Sequence, residues 1–295
     1  MTDTHKQTDN RDLTPKDWRL QDVERRGLPR YAVDDLDGIK AELRDGAGFV
    51  VVQGLADSNE DGNDNLQSFG QGLGRLLPQN AAQELIVQIA DFSDEDEFDD
   101  RGYRSPGELN PHTDPPPLIV LLCQRSARTG GTNRLVSAET IRGAIRDEQP
   151  EMLSVLEAGF PFFMPDEKIQ GGGSVRDALP IMLDGPGGMS CVYYRPFIER
   201  AADVTGVALS DQSIAALDLF DRFANDPELQ AAYTLEPGET LILNNYRVLH
   251  ARDDFEDWPE KNKRRCLLRL WLDADWLPDP PAAHAGRRNP MAELL

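Results

Sequence analysis

The sequence is short of basic residues, of cysteine and, above all, of histidine. Thirty-one lysines and arginines stand against 52 aspartates and glutamates, for a formal charge of −21. A surface of that sign repels nucleic-acid phosphates and anionic lipid headgroups, so neither a nucleic acid nor a membrane is expected as a partner. No apolar run approaches the roughly 20 residues that a membrane span needs. The opening stretch, MTDTHKQTDNRDLTPKD, lacks the apolar core of a secretory signal. The three cysteines, Cys123, Cys191 and Cys266, are far apart and sit among apolar neighbours. That spacing excludes a disulfide frame or a zinc cluster and fits buried free thiols in a reducing, cytoplasmic setting.

What remains is ordinary for a globular protein: 39% apolar and 7% aromatic residues in a chain of 295. Without an internal repeat or a linker, the expectation is one domain over 1–295, with loose tails at 1–14 and 279–295. Leu36, Ile39 and Leu43 recur at helical spacing. Ser137 and Ser210 precede amphipathic runs as N-caps, and Pro150 opens a third helix. Apolar runs in GFVVVQGL, ELIVQIADF, LIVLLCQRSA, AYTLEP, ETLILNN and RRCLLRLWLD read as strands, and LPIMLD-GPGG-MSCVYYR as a hairpin. Short strands with helices at the start and middle suit a mainly β sandwich or barrel with helical insertions.

Of the four histidines, His5 and His284 fall in the polar and proline-rich ends, which leaves His112 and His250 for the ordered body. His112 stands two residues before Asp114, and in extended backbone such residues project to the same side. Pro115, Pro116 and Pro117 follow, removing three N–H donors, so this stretch belongs at the edge of a sheet, opening onto a cavity. His250 ends the apolar strand signal LNNYRVLH. Two imidazoles and one carboxylate with open positions suit non-haem Fe(II), and catalytic zinc could use the same set. In RRCLLRLWLD, Arg265, Leu267, Arg269 and Trp271 share one face and Cys266, Leu268, Leu270 and Leu272 the other. A guanidinium in such apolar company needs an anion, either a structural carboxylate or a bound one.

The phrases HTD, RTGGTNRLVSA, LNNYRVLHARDDF and RRCLLRLWL, spread between Tyr103 and Leu272, resemble those of the Fe(II)/2-oxoglutarate-dependent dioxygenases. The likeness is to the family of taurine dioxygenase, 2,4-dichlorophenoxyacetate dioxygenase and γ-butyrobetaine hydroxylase. It implies a double-stranded β-helix, a distorted jelly roll, with His112, Asp114 and His250 holding iron. It implies also that Arg269 takes the distal carboxylate of 2-oxoglutarate, with Arg265 nearby. Where the family often carries a Thr or Ser after paired glycines that contacts the same co-substrate, this chain has Asn133, with Thr132 beside it, and these two are the candidates the resemblance implies for that contact. The implied reaction uses O2 and hydroxylates an unactivated C–H of a small carboxylate or amino-acid-like substrate, releasing succinate and CO2. Arg104, Arg195 and Arg252 are candidate anchors for that small molecule. A zinc hydrolase on the same triad, or a non-catalytic 2-oxoglutarate-binding protein, are the alternatives.

Overall fold

A computed structural model describes residues 17–55, 62–94, 102–165 and 172–288. His5 and the expected N-terminal tail lie outside the described residues. The strand signals come from apolar runs because the larger sheet is covered on both faces. Its strands run in the order Arg30–Ala32, Phe49–Gln53, Thr240–Asn244, Leu118–Arg125, Cys266–Asp273 and Arg75–Leu77, with Ile86–Ala90 also pairing with Cys266–Asp273. Arg30–Ala32 runs parallel to its neighbour, and the rest of this sheet is antiparallel.

One face of this sheet, with Val50, Val120, Ile242, Leu268 and Leu270, packs on Ile39 and Leu43 of the helix Leu36–Asp45 and Leu66 of the helix Gly62–Leu73. The other face, with Phe49, Ile119, Leu241, Leu267 and Trp271, meets Leu135 and Val248 of a second sheet. That sheet is ordered Gln230–Tyr233, Asn133–Ser137, Val248–Arg252, Leu109–His112. Its far side, through Val136 and Leu249, packs against the helices Ala138–Glu148, Glu151–Ala158, Arg195–Thr205 and Asp211–Ala224. Ser137 and Ser210 cap their helices through side-chain oxygens, as their positions before the apolar runs suggest.

Leu109–His112 is an edge strand that ends at His112, where the prolines forbid further pairing. The chain crosses between the two sheets at Asn245–Arg247, joining Thr240–Asn244 to Val248–Arg252. That crossing brings His250 opposite His112 in antiparallel register.

The expected C-terminal tail needs correction. Residues Ala282–Arg288 form a 3-10 turn folded onto the body, with His284 only 1% and Arg287 7% exposed. The prolines before it do deny this stretch a regular helix, but irregular backbone is not loose backbone. Residues 289–295 lie outside the described residues.

Candidate metal centre and its cavity

His112, Asp114 and His250 each offer a ligand atom within 4.8 Å of the others, the only such His/Cys/Asp/Glu group among the described residues. The two imidazoles lie 4.3 Å apart between ring centroids. His112 Nδ1 sits 2.8 Å from the carbonyl oxygen of Asn110. That contact requires the proton on Nδ1, which leaves the Nε2 lone pair available, 3.8 Å from Asp114 Oδ1. Burial pushes the His112 pKa down, and it pushes His250 down to about 3, with the facing His112 adding to the shift. Both rings are therefore neutral and fit to donate a lone pair at neutral pH.

Asp114 divides its two oxygens. Oδ2 accepts from Arg269 Nη1 at 2.9 Å and from Trp271 Nε1 at 3.2 Å, while Oδ1 faces the histidines. Burial alone would raise the pKa of this carboxyl; Arg269, the two histidines and Trp271 outweigh it and hold it below the usual range. The set fits a divalent cation: two neutral imidazoles, one ionised oxygen, and too few protein ligands for a closed structural zinc site.

The anion that Arg269 needs is therefore Asp114 itself. Its Nε donates to Gln79 Oε1 at 2.7 Å, and Gln79 in turn donates to the Arg269 carbonyl at 2.8 Å. Arg265, four residues earlier on the same face, is in a different state. It is 4% exposed, and its Nη1 is buried with no hydrogen-bond partner. Close to it, Gly131 has φ +72°, and a Cβ there would come within 3.2 Å of Arg265 Nε. Gly131 thus gives the guanidinium its room.

A cavity of about 380 Å³ opens over the triad. Asn133, Arg252, Arg265 and Leu267 line it together with Leu121 and Arg269. Asn133 and Arg252 are register partners across the smaller sheet. Phe162, Leu179, Val192, Tyr194 and Phe197 form an apolar wall, which Arg176 joins.

Not every sequence candidate reaches this space. Thr132 Oγ1 bonds Thr234 Oγ1 at 2.9 Å, and Thr132 stays outside the lining. Arg104 stacks 4.4 Å from the Phe92 ring, also outside it. Arg195 is an intramolecular ion-pair hub, at 2.8 Å from Glu199, 2.7 Å from Asp218 and 2.6 Å from Asp221. The anchoring role expected of Arg104 and Arg195 is not supported by these positions. The ordered body also holds more than the two histidines expected of it, because His284 is a third, on the cavity wall. Its nitrogens lie 2.9 Å from Ser190 Oγ and 2.9 Å from the Pro180 carbonyl, so it belongs to the scaffold.

Sequence reasoning passed over Gln79, Asn245 and Arg287. It placed Trp271 on the Arg269 face, and that i, i+2 relation was signal enough to suggest a shared partner. Gln79 sits in an irregular stretch and carries no periodic signal.

A family model described as taurine catabolism dioxygenase TauD, TfdA family matches residues 9–271. FR-33289 synthase of Streptomyces rubellomurinus is 27% identical over 264 residues, covering 86% of this chain and 77% of its own length. Gamma-butyrobetaine dioxygenase of Homo sapiens is 24% identical over 157 residues, covering 51% of this chain and 41% of its own. Among solved structures, asparagine oxygenase with Fe(II), 3-hydroxyasparagine and succinate superposes at TM-score 0.63, 17% identity, and 81% and 78% coverage of the two chains. The iron oxygenase OrfP, with Fe, succinate and (3S)-hydroxy-L-Arg, gives TM-score 0.60 at 16% identity, with 81% and 79% coverage. The shared architecture is the double-stranded β-helix, and with the family match covering most of its length, this chain belongs to the TauD/TfdA family of dioxygenases.

Proposed function

We propose that this dioxygenase uses Fe(II), 2-oxoglutarate and O2 to hydroxylate an unactivated C–H bond of a small carboxylate or amino-acid-like substrate. The observation that carries this reading is the convergence of the His112, His250 and Asp114 ligand atoms beside a buried, unpartnered Arg265 nitrogen in one cavity. When bound, iron with 2-oxoglutarate and O2 supplies the oxidising power, leaving succinate and CO2. The chain's own residues hold and orient. His112, Asp114 and His250 hold the metal, and Arg269 with Trp271 fixes which Asp114 oxygen is free to do so.

The resemblance assigns the distal carboxylate of 2-oxoglutarate first to Arg269 and then to Arg265. The hydrogen bonding favours the reverse. Arg269 already holds Asp114 and Gln79, whereas Arg265 has a buried donor to spare, with Asn133 and Arg252 on the same cavity wall. A carboxylate there would meet a guanidinium fork in a site largely closed to water, where such pairing is strong. Arg252 keeps its second role as a candidate substrate anchor, although its Nη2 already donates to the Ser105 carbonyl at 2.8 Å. The apolar wall of Phe162, Leu179, Val192 and Phe197 excludes water and presents the substrate's carbon skeleton to the metal side. The hydroxylated amino acids bound in the complexes of asparagine oxygenase and OrfP support a substrate of that size. Buried free thiols at Cys123, Cys191 and Cys266 support a reducing, cytoplasmic setting, and no helix among the described residues is long and apolar enough to cross a membrane.

The test is spectroscopic first. Anaerobic addition of Fe(II) and 2-oxoglutarate to the purified chain is expected to give a visible charge-transfer band, and O2 with a substrate panel is expected to release succinate. Arg265→Ala is expected to raise the 2-oxoglutarate concentration needed for the band at least about tenfold, as loss of a buried charge pair does. Folded wild-type protein that shows no band would overturn the reading.

A further inference from the structure

The loop that carries Asp114 belongs to neither sheet, and its three prolines have no N–H to give. The carbonyls of Asp114 and of the three prolines nevertheless each have a donor from a distant part of the chain. Arg287 Nη2 donates to the Asp114 carbonyl at 2.9 Å, and Arg287 Nε to the Pro115 carbonyl at 3.0 Å. Asn245 Nδ2 donates to the Pro116 carbonyl at 3.1 Å, and the Asn245 backbone N–H to that of Pro117 at 2.9 Å. Arg287 then ties the set together, donating to the Asn245 carbonyl at 2.9 Å and to the Cys191 carbonyl at 2.5 Å. The guanidinium also lies 4.8 Å from the centre of the Tyr246 ring.

Arg287 is 7% exposed, and its hydrogen bonds to Asp114, Pro115, Cys191 and Asn245 all end on main-chain oxygens. Burying a cation with no side-chain carboxylate bonded to it is costly. That cost falls on the stretch of backbone that sets where a metal-binding carboxylate points. On the other side of Asp114, the Thr113 N–H donates to the Tyr193 carbonyl at 2.9 Å, so both flanks of the residue are pinned. The turn that carries Arg287 is itself anchored by His284, three residues earlier, between Ser190 and Pro180.

We propose that Arg287 is a positioning residue of the metal centre, fixing Asp114 by clamping the carbonyls around the proline run. The inference rests on the metal-centre reading above. The planar guanidinium spans four carbonyls in different directions. An ammonium on a flexible stem cannot, so lysine is the informative replacement.

The experiment uses the full chain stripped of metal, titrated with Co(II) against a chromophoric chelator, and melted with and without Co(II). The control is Arg247→Lys, a buried arginine that clamps the Arg44 and Gly46 carbonyls at 2.8 and 2.9 Å without touching the Asp114 loop. Both Arg287→Lys and Arg247→Lys are expected to lower the melting temperature of the metal-free protein. Only Arg287→Lys is expected to weaken Co(II) binding, about tenfold or more, as loss of an outer-shell support does, and to shrink the metal-induced rise in melting temperature. Millimolar guanidinium added to Arg287→Ala is expected to recover part of the lost affinity. Folded Arg287→Lys that binds Co(II) within twofold of wild type overturns the proposal while leaving the metal centre intact. Arg287→Lys that cannot fold even with saturating metal also overturns it, because the role is then that of the fold alone. Wild-type protein that binds no Co(II) overturns the metal reading itself.

Discussion

At Asp114 one carboxylate serves two masters: Oδ2 is taken by Arg269 and Trp271, and Oδ1 is left to the histidines. Two substitutions separate these roles. Asp114→Ala removes the ligand oxygen and is expected to abolish metal binding in the micromolar range. Trp271→Phe removes one donor and leaves the ring, so metal affinity is expected to fall by about 10-fold, the lower end for outer-shell losses. Both are read by metal titration of the stripped protein. His284 gives a prediction in pH. Burial holds its pKa at about 4, below its ordinary 6.5, against the opposing pull of the Pro180 carbonyl, and Arg287 and Arg176 act in the same direction as burial. The unfolded chain then binds the extra proton between those values. Stability is therefore lost as pH falls from 6.5 towards about 4 and is unaffected by this residue above that window. The slope is at most ~1.4 kcal/mol per pH unit. His284→Asn is expected to flatten that part of the acid limb relative to wild type in urea unfolding at a series of pH values.

The strand Cys266–Asp273 shows how one element can carry both stability and chemistry. Leu268 and Leu270 face the helices Leu36–Asp45 and Gly62–Leu73, while Arg269 and Trp271 face the cavity. Leu270→Ala is expected to cost about 2–5 kcal/mol of unfolding free energy, measured in denaturant, without moving the metal affinity. This alternation was legible in the sequence because period 2 is a property of the backbone and not of its surroundings. The same holds for the His112-x-Asp114 pair and for the serine caps. Other elements left weaker marks. The helix Arg195–Thr205 opens on Arg-Pro, and Arg195 reads as a rim cation until three carboxylates from two helices are seen around it. The turn at Ala282–Arg288 has no period at all, and only tertiary contact reveals that it is buried. Which of two arginines on one face is already occupied depends on Gln79 and Asp114, both far off in sequence, so no spacing could disclose it.

For the molecule as a whole, the charge of −21 surrounds a cavity lined by Arg176, Arg252, Arg265, Arg269 and Arg287, against one carboxylate, Asp114, among its described lining residues. Self-repulsion of the acidic surface is long-ranged and screenable, while the buried pairs are not. Melting temperature is therefore expected to rise between about 20 and about 300 mM NaCl, and Co(II) affinity measured in the same buffers to change far less. The order in which the chain is made matters too. Strands from residues 49–53 and 240–244 lie side by side, and the carbonyl of Asp114 waits for a guanidinium at position 287. A growing chain that has reached His250 but not residue 287 has every ligand of the triad and still lacks the clamp on the loop between them, so the last part of the site to be ordered is the direction in which one carboxylate points.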